Sequence, residues 1–303
     1  MKVLLTGAAG RLGSRTWHAL LANGHEVRAT DCRYRADMPG QLDLVDLTDM
    51  LACYRLIEGC DAIAHLGNIP NISQSATAQE LYRTNGTINM NVFQAALELR
   101  VNNIVFASSV QVISGRRHGS ATDEPTVTLP YLPADGDLPV NPGNAYALSK
   151  QAGEDALRYF AALNDAGCYV GMRFPALITP ESFARFASYH WGESASKPVR
   201  FTGNINEALA FLAMDDAADL VCRALERPRA GYRQYFPAAR QTRPGWSVQD
   251  AIEAYYTDVP LRKPIDQLTS LVDISALTRD FDWEPTRSDE MVQQSQEEAD
   301  ATA

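Results

Sequence analysis

The chain is poor in anything that would staple it covalently or hold it in a membrane. Its five cysteines (Cys32, Cys53, Cys60, Cys168, Cys222) are odd in number and include no C-x-x-C pair. A disulfide framework is therefore not expected, and a reducing compartment, the cytoplasm, is. No early apolar segment reads as a signal peptide, and no apolar run is long enough to span a bilayer. The histidines His18, His25, His65, His118 and His190 are scattered, with no His/Cys/Asp cluster at ligand spacing, so no metal site is expected. Positive charge is in deficit: 27 Lys and Arg stand against 37 Asp and Glu, a formal net charge of −10. That balance argues against a nucleic-acid surface. There is no internal repeat.

What is present begins at the first residue. Met1 to Thr6 is a short apolar run suited to a strand buried on both faces. It leads into Thr6-Gly-Ala-Ala-Gly-Arg-Leu-Gly13, with glycines at Gly7, Gly10 and Gly13, and then into a helix-compatible stretch with apolar Leu12, Trp17, Leu20 and Leu21. Strand, glycine turn and helix in that order predict a dinucleotide site, because glycines let the backbone approach a pyrophosphate at a helix N-terminus. The spacing is G-x-x-G-x-x-G, which differs from the common G-x-G-x-x-G fingerprint. Gly7, Gly10, Arg11, Leu12 and Gly13 are the candidate residues of that turn.

A second strand, His25 to Thr30, ends in Asp31. An acidic residue about twenty positions past the turn accepts from the adenosine ribose hydroxyls and repels a 2′-phosphate, which favours NAD over NADP. Arg33 and Arg35 pull the other way, since guanidinium groups accommodate such a phosphate. Asp31 is nearer and is read as decisive. Further buried strands are expected at 61–65, 103–107 and 168–172, with helices at 76–100 and 145–163. After Pro175 the rhythm changes. A helix or helix pair is read from Ala208 to Leu225, a small strand around Tyr235, a helix near Val248 to Tyr256 and a last helix near Ser275 to Arg279. These elements predict an α/β fold: a doubly wound parallel sheet (Rossmann fold) with a small C-terminal substrate-binding lobe. The expected organisation is 1–175 for the dinucleotide domain and 176–287 for the lobe, interleaved with the last Rossmann elements. Residues 288–303 are acidic, rich in glutamine and without apolar periodicity, and read as a frayed or disordered polar tail.

Tyr146 and Lys150 stand four residues apart inside the helix expected at 145–163, so they share one face. A phenol with a reference pKa of about 10 is a poor base. A fixed ammonium beside it favours the phenolate and draws the pKa toward working range.

Together these motifs resemble the extended short-chain dehydrogenase/reductase superfamily, also called the NAD-dependent epimerase/dehydratase family. The likeness covers most of the chain. It includes the glycine turn, Asp31, the D-L-V-D-L-T-D stretch at 43–49, Ala64 to Gly67, Asn85, Phe106 to Ser109, Tyr146 with Lys150, Arg173-Phe-Pro175 and the closing Phe281-Asp-Trp-Glu-Pro285. The resemblance implies that Ser109, rather than Ser108, holds the reacting oxygen while Tyr146 exchanges its proton. It implies that Lys150 also bonds the nicotinamide ribose. Asp46 and Leu47 then flank the adenine, Leu66 and Gly67 lie along the phosphates, and Pro175 and Ile178 pass the nicotinamide carboxamide.

Departures from the family narrow the chemistry. Dehydratases carry an Asp-Glu pair just after the serine, where this chain has Val110-Gln111, so dehydration is not expected. Gln111 becomes a candidate substrate contact instead. The stretch Arg173-Phe-Pro-Ala-Leu-Ile-Thr179 and the short segment after it leave little chain for a nucleotide-sized pocket. Uronate dehydrogenases, a subgroup with an abbreviated lobe, share His65-Leu-Gly67, the Phe106–Ser109 stretch, Thr179-Pro-Glu181 and Arg185. That arginine suits a substrate carboxylate. The loop between Ser109 and Tyr146 is longer than theirs and carries Arg116, Arg117, His118 and Pro130 to Pro133. It is a candidate lid, and His118 is not needed as a base beside a Tyr/Lys pair. The favoured expectation is an NAD-dependent dehydrogenase of a free sugar, sugar acid or small polyol. An epimerase with transient oxidation, and a non-catalytic NAD-binding regulator, are the alternatives. The helices at 76–100 and 145–163 are expected to pair in a homodimer.

Overall fold

The structure, a computed structural model, describes residues 1–70, 77–115, 127–187, 205–241 and 247–302. Strand β1 (Lys2–Thr6) shows why the chain folds as it does: Val3, Leu4 and Leu5 are all fully buried, a run that only a strand covered on both faces can hide. It lies inside a seven-stranded sheet with β2 (Glu26–Asp31), β3 (Leu42–Leu44), β4 (Ala62–His65), β5 (Asn103–Ser109), β6 (Cys168–Phe174) and β9 (Gly231–Tyr235). All six pairings are parallel, in the order β3-β2-β1-β4-β5-β6-β9. A separate parallel pair joins β7 (Ala176–Ile178) to β8 (Phe211–Ala213).

Helices cover both faces. On one side Trp17 and Leu20 of α1 (Arg11–Ala22) and Leu220, Val221 and Leu225 of α6 (Met214–Glu226) pack on Val3 and Leu5. On the other, α2 (Met50–Ile57), α3 (Ala78–Glu98) and α4 (Ala145–Leu163) bring Ile57, Phe93 and Phe160 against Leu4, Ile104 and Phe106. Each such side chain contributes roughly 1.5–3 kcal/mol on burial. The sheet order reverses between β1 and β4, and ligands bind at such switch points, outside the carboxyl ends of the strands.

A further apolar cluster gathers Leu132, Leu138, Leu209, Phe236, Ile252, Tyr256 and Leu271. It includes α7 (Val248–Tyr255) and borders α8 (Ser275–Phe281). The segment after the long loop is sewn into it: Leu132 N–H donates to Pro260 O, Arg262 N–H to Leu132 O, and Ala134 N–H to Leu271 O. Residues 131–134 of the expected lid are thus part of this lobe, while 116–126 lie outside the described residues.

Three local expectations change. The helix read from Ala208 onward starts only at Met214, because Ala208 and Leu209 sit at φ +53° and +51° and Phe211–Ala213 is a strand. Residues 176–178, given no element of their own, form β7. The stretch from Ser288, read as a frayed or disordered tail, lies in helix α9 (Thr286–Thr302). Asp216 receives the N–H groups of Arg287 and Ser288 and the Ser288 hydroxyl, which caps that helix, while Met291 and Val292 are buried. Two buried side chains and one distant cap leave no periodic signal.

Candidate active site

The cofactor turn is built by contacts that exclude side chains. Gly7 has φ +67°, and a Cβ there would lie 2.8 Å from the backbone of Gly67, so the ends of β1 and β4 touch. A Cβ on Gly13 would lie 2.0 Å from Gly7 O. Gly10 differs: its Cβ would meet only Gly7 O, at 3.0 Å, with open space beyond. Gly10 is also the N-cap of α1, a twelve-residue helix with no side-chain cap and no acidic residue in its first turn. That positive helix end suits a pyrophosphate. Arg11 is exposed beside it and Leu12 is half-buried. Asp31 ends β2, is 8% exposed, and accepts from Ala9 N–H (3.1 Å) and Arg33 N–H (3.0 Å). A glycine cradle, an open helix N-terminus and a carboxylate tied to the same turn together fit an adenine dinucleotide.

Ser109, Tyr146 and Lys150 come together where β5 ends against α4. The Ser109 hydroxyl is a neighbour of the Tyr146 phenol and favours its ionised form. Ser108 is committed elsewhere, donating to Glu154 Oε1 at 2.5 Å. Pleat alternation sends the neighbouring serines to different partners. Lys150 Nζ donates to Asn68 Oδ1 (2.8 Å) and to the Ala107 carbonyl (2.7 Å), and lies 5.8 Å from the Tyr146 ring centroid.

The expected depression of the tyrosine pKa is not what this arrangement gives. Burial pushes the Tyr146 phenol up to about 12, with the Ser109 hydroxyl pulling weakly the other way. Burial likewise pulls Lys150 down to about 7, opposed by the Glu154 charge. The i,i+4 spacing places both residues on one face of α4, but the ammonium is aimed at Asn68 and desolvation dominates.

Sequence reasoning missed the groups that hold this set in place. Asn68 joins Lys150 to a buried chain, donating to Asn89 Oδ1 at 2.9 Å. His65 Nε2 reaches the same oxygen at 3.0 Å, and His65 Nδ1 lies 2.8 Å from Thr6 Oγ1. Burial holds His65 near a pKa of about 3, so it is neutral. Thr6 Oγ1 accepts from Leu66 N–H (3.1 Å) and Gly67 N–H (3.0 Å), so its proton goes to His65 Nδ1 and His65 Nε2–H donates to Asn89. Asn144 caps α4 by accepting from Ala147 N–H (2.9 Å) and donates to Gln111 Oε1 (3.2 Å), which ties Gln111 to that helix. Asn85 bonds Ser149 and both backbone groups of Ile69. His65 and the asparagines are visible in the sequence, but only tertiary pairing gives them partners.

The outlying positions are mixed. Asp46 is exposed and folds back on Thr48, while Leu47 is buried in the α2–α3 core. Leu66 and Gly67 lie half-buried beside Gly7. Pro175 is buried between β6 and β7. Ile178, 9% exposed, packs with Phe183 and Phe211. Arg185 belongs to α5 (Pro180–Ala187), but its side chain lies outside the described residues, as does His118. Among the described residues no group of His, Cys, Asp and Glu forms a metal site, and no helix is long and apolar enough to cross a membrane.

A parallel sheet with a glycine turn at its switch point and a Ser/Tyr/Lys set beside it defines a dinucleotide-binding α/β protein of the short-chain dehydrogenase/reductase type. The model of the NAD dependent epimerase/dehydratase family matches residues 3–238, and the chain belongs to that family. It is 27% identical over 262 residues to the uronate dehydrogenase of Pseudomonas putida, covering 84% of this chain and 82% of that protein. It is 29% identical over 180 residues to the uronate dehydrogenase of Pseudomonas syringae pv. tomato, 57% of this chain and 60% of that protein's length. A solved short-chain dehydrogenase/reductase superfamily protein of Agrobacterium tumefaciens with bound NAD superposes with a TM-score of 0.67 at 20% identity, covering 98% and 96% of the two chains. That last likeness establishes the fold.

Proposed function

We propose that the protein is an NAD-dependent dehydrogenase that oxidises a carbinol of a free sugar or sugar acid, with hexuronic acids as the first substrates to test. The observation that carries this reading is the meeting of Ser109, at the end of β5, with Tyr146 on α4, with Lys150 one helical turn along and the glycine turn beside them. Bound NAD supplies the hydride acceptor. Tyr146 takes the substrate hydroxyl proton, and Ser109 holds the reacting oxygen in line. Lys150 serves the ribose and the local field. The phenol keeps its proton in the free protein, so the same group is in the form that donates when the reaction runs toward the alcohol. Uronate recognition is supported by the relatives, and Arg185 is our candidate for the carboxylate. The lobe expected at 176–287 would cover the substrate.

A spectrophotometric screen of NAD with uronic acids, neutral aldoses and nucleotide sugars tests the reading. We expect NADH to accumulate with a uronate or a free aldose. Interconversion of a sugar without net NADH would replace the dehydrogenase reading with epimerisation. NAD binding with neither outcome would favour the non-catalytic reading.

We further propose a homodimer in the cytoplasm. Tyr82 (43% exposed) and Met90 (45%) on α3, and Leu148 (46%) and Tyr159 (57%) on α4, leave apolar surface uncovered on two helices that already pack together. Light scattering at micromolar concentration should give twice the chain mass, and a monomer would refute the pairing.

A further inference from the structure

Beside Asp31 the structure holds a second carboxylate that bears on cofactor choice. Arg35 leans over the glycine turn: its Nη1 donates to Ser14 Oγ at 3.2 Å and lies 3.4 Å from Ala9 O. Ala9 is also the residue whose N–H donates to Asp31 at 3.1 Å. The guanidinium therefore faces the same corner of the turn as the carboxylate that is to hold the adenosine ribose. A planar fork at that corner is the group that would grip a 2′-phosphate. Its free edge is occupied. Arg35 Nε and Nη2 donate to the two carboxylate oxygens of Asp37, each at 2.7 Å, a bidentate pair closed within three residues of chain.

We propose that Asp37 sets the preference for NAD over NADP by engaging Arg35, so that the chain carries a phosphate-competent arginine held out of use. The inference rests on the NAD-dependent reading of the site and adds a residue to it. Asp31 discriminates by repulsion where the ribose lies, whereas Asp37 discriminates by occupying the one edge of Arg35 that the turn leaves open. Both side chains of the pair reach solvent, with 38% and 68% of their surfaces exposed. A substitution at position 37 therefore disturbs no packing. The same exposure makes the pair weak and salt-screened, so the effect is best read at low ionic strength.

The test is titration of NAD⁺ and NADP⁺ into the unmodified protein, Asp37→Ala, Asp37→Asn and the double variant Arg35→Ala/Asp37→Ala. Either single substitution should lower the Kd for NADP⁺ about tenfold, equivalent to about 1.4 kcal/mol, and leave the Kd for NAD⁺ within about twofold. The double variant should lose the gain, since the arginine that the loss of Asp37 releases is then gone. An unchanged NADP⁺ affinity in both single variants, or an equal gain in the double variant, overturns the role of Asp37 and leaves the NAD reading intact. If the unmodified protein bound neither nucleotide, the cofactor reading itself would fall and the proposal with it.

Discussion

Neutralising Glu154 should cost this protein more stability than most single substitutions, because its charge is sealed inside. Glu154 is 1% exposed and Arg173 3%, and two parallel hydrogen bonds of 3.0 and 2.9 Å join them. Glu154 also accepts from Ser108, and Arg173 Nη1 donates to the carbonyls of Gly136 and Leu138. One pair thus links β5, α4, β6 and the segment that leads into the lobe. In Glu154→Gln the shape is kept, yet the buried guanidinium loses its counter-charge. Breaking such a pair from one side costs about 3–5 kcal/mol. At about 2–4 °C per kcal/mol for chains of a few hundred residues, the thermal midpoint should fall by roughly 6–20 °C. Replacing both partners by methionine should recover only part of this, because Ser108 and two carbonyls would then lack donors or acceptors. The variant has a second signature. Glu154 is the charge that supports protonated Lys150 against burial, so its loss should move the Lys150 titration below about 7. Calorimetry and lysine-selective NMR read the two effects. A midpoint within 2 °C of the unmodified protein would refute the claim that this charge is structurally committed.

Other outcomes follow from the same geometry. Tyr146→Phe deletes one hydroxyl and leaves the ring to pack, so nucleotide binding should persist while turnover on a verified substrate falls by about 10²–10⁴-fold; near-normal turnover would point to another base. In the free protein, the tyrosinate absorbance that Tyr146→Phe removes should appear near pH 12, where burial places it, and a transition below pH 9 would show that Lys150 governs the phenol after all. Gly13→Ala puts a methyl 2.0 Å from Gly7 O, where only backbone can give way. Its NAD affinity should fall at least tenfold, and unchanged binding would mean the turn is looser than its contacts require.

The parallel core was legible because burial on both faces leaves uninterrupted apolar runs, as at Val3 to Leu5 and Ile104 to Phe106. The two long helices were legible for a different reason. Apolar spacing marked α3 and α4, and Thr77 and Asn144 cap their starts with side-chain oxygens. Where the sequence misled, a distant partner had overridden local preference. Ala208 to Ala213 is helix-compatible by composition, but positive φ at Ala208 and Leu209 turns the chain so that Phe211 to Ala213 can pair with β7. Helix α9 begins where Asp216 supplies its cap from 72 residues away, a relation no window of sequence contains.

The site divides along the same line. Tyr146, Lys150 and the glycines announce themselves through spacing, since a helical face and a tight turn are local objects. The direction in which Lys150 points is not local. Its ammonium is held by Asn68 and the Ala107 carbonyl, and hydrogens from Asn68 and from His65 then converge on the single oxygen Asn89 Oδ1. From His65 the chain runs to Thr6, whose oxygen receives the N–H groups of Leu66 and Gly67 beside the cofactor turn. With His65 neutral, each bond in that path has one donor and one acceptor, and reversing any of them would leave a buried donor facing a donor. The orientation of Lys150 and the shape of the glycine turn are therefore fixed by one buried polar chain. A sequence read for motifs reports its two ends and passes over Asn68 and Asn89, which help to join them.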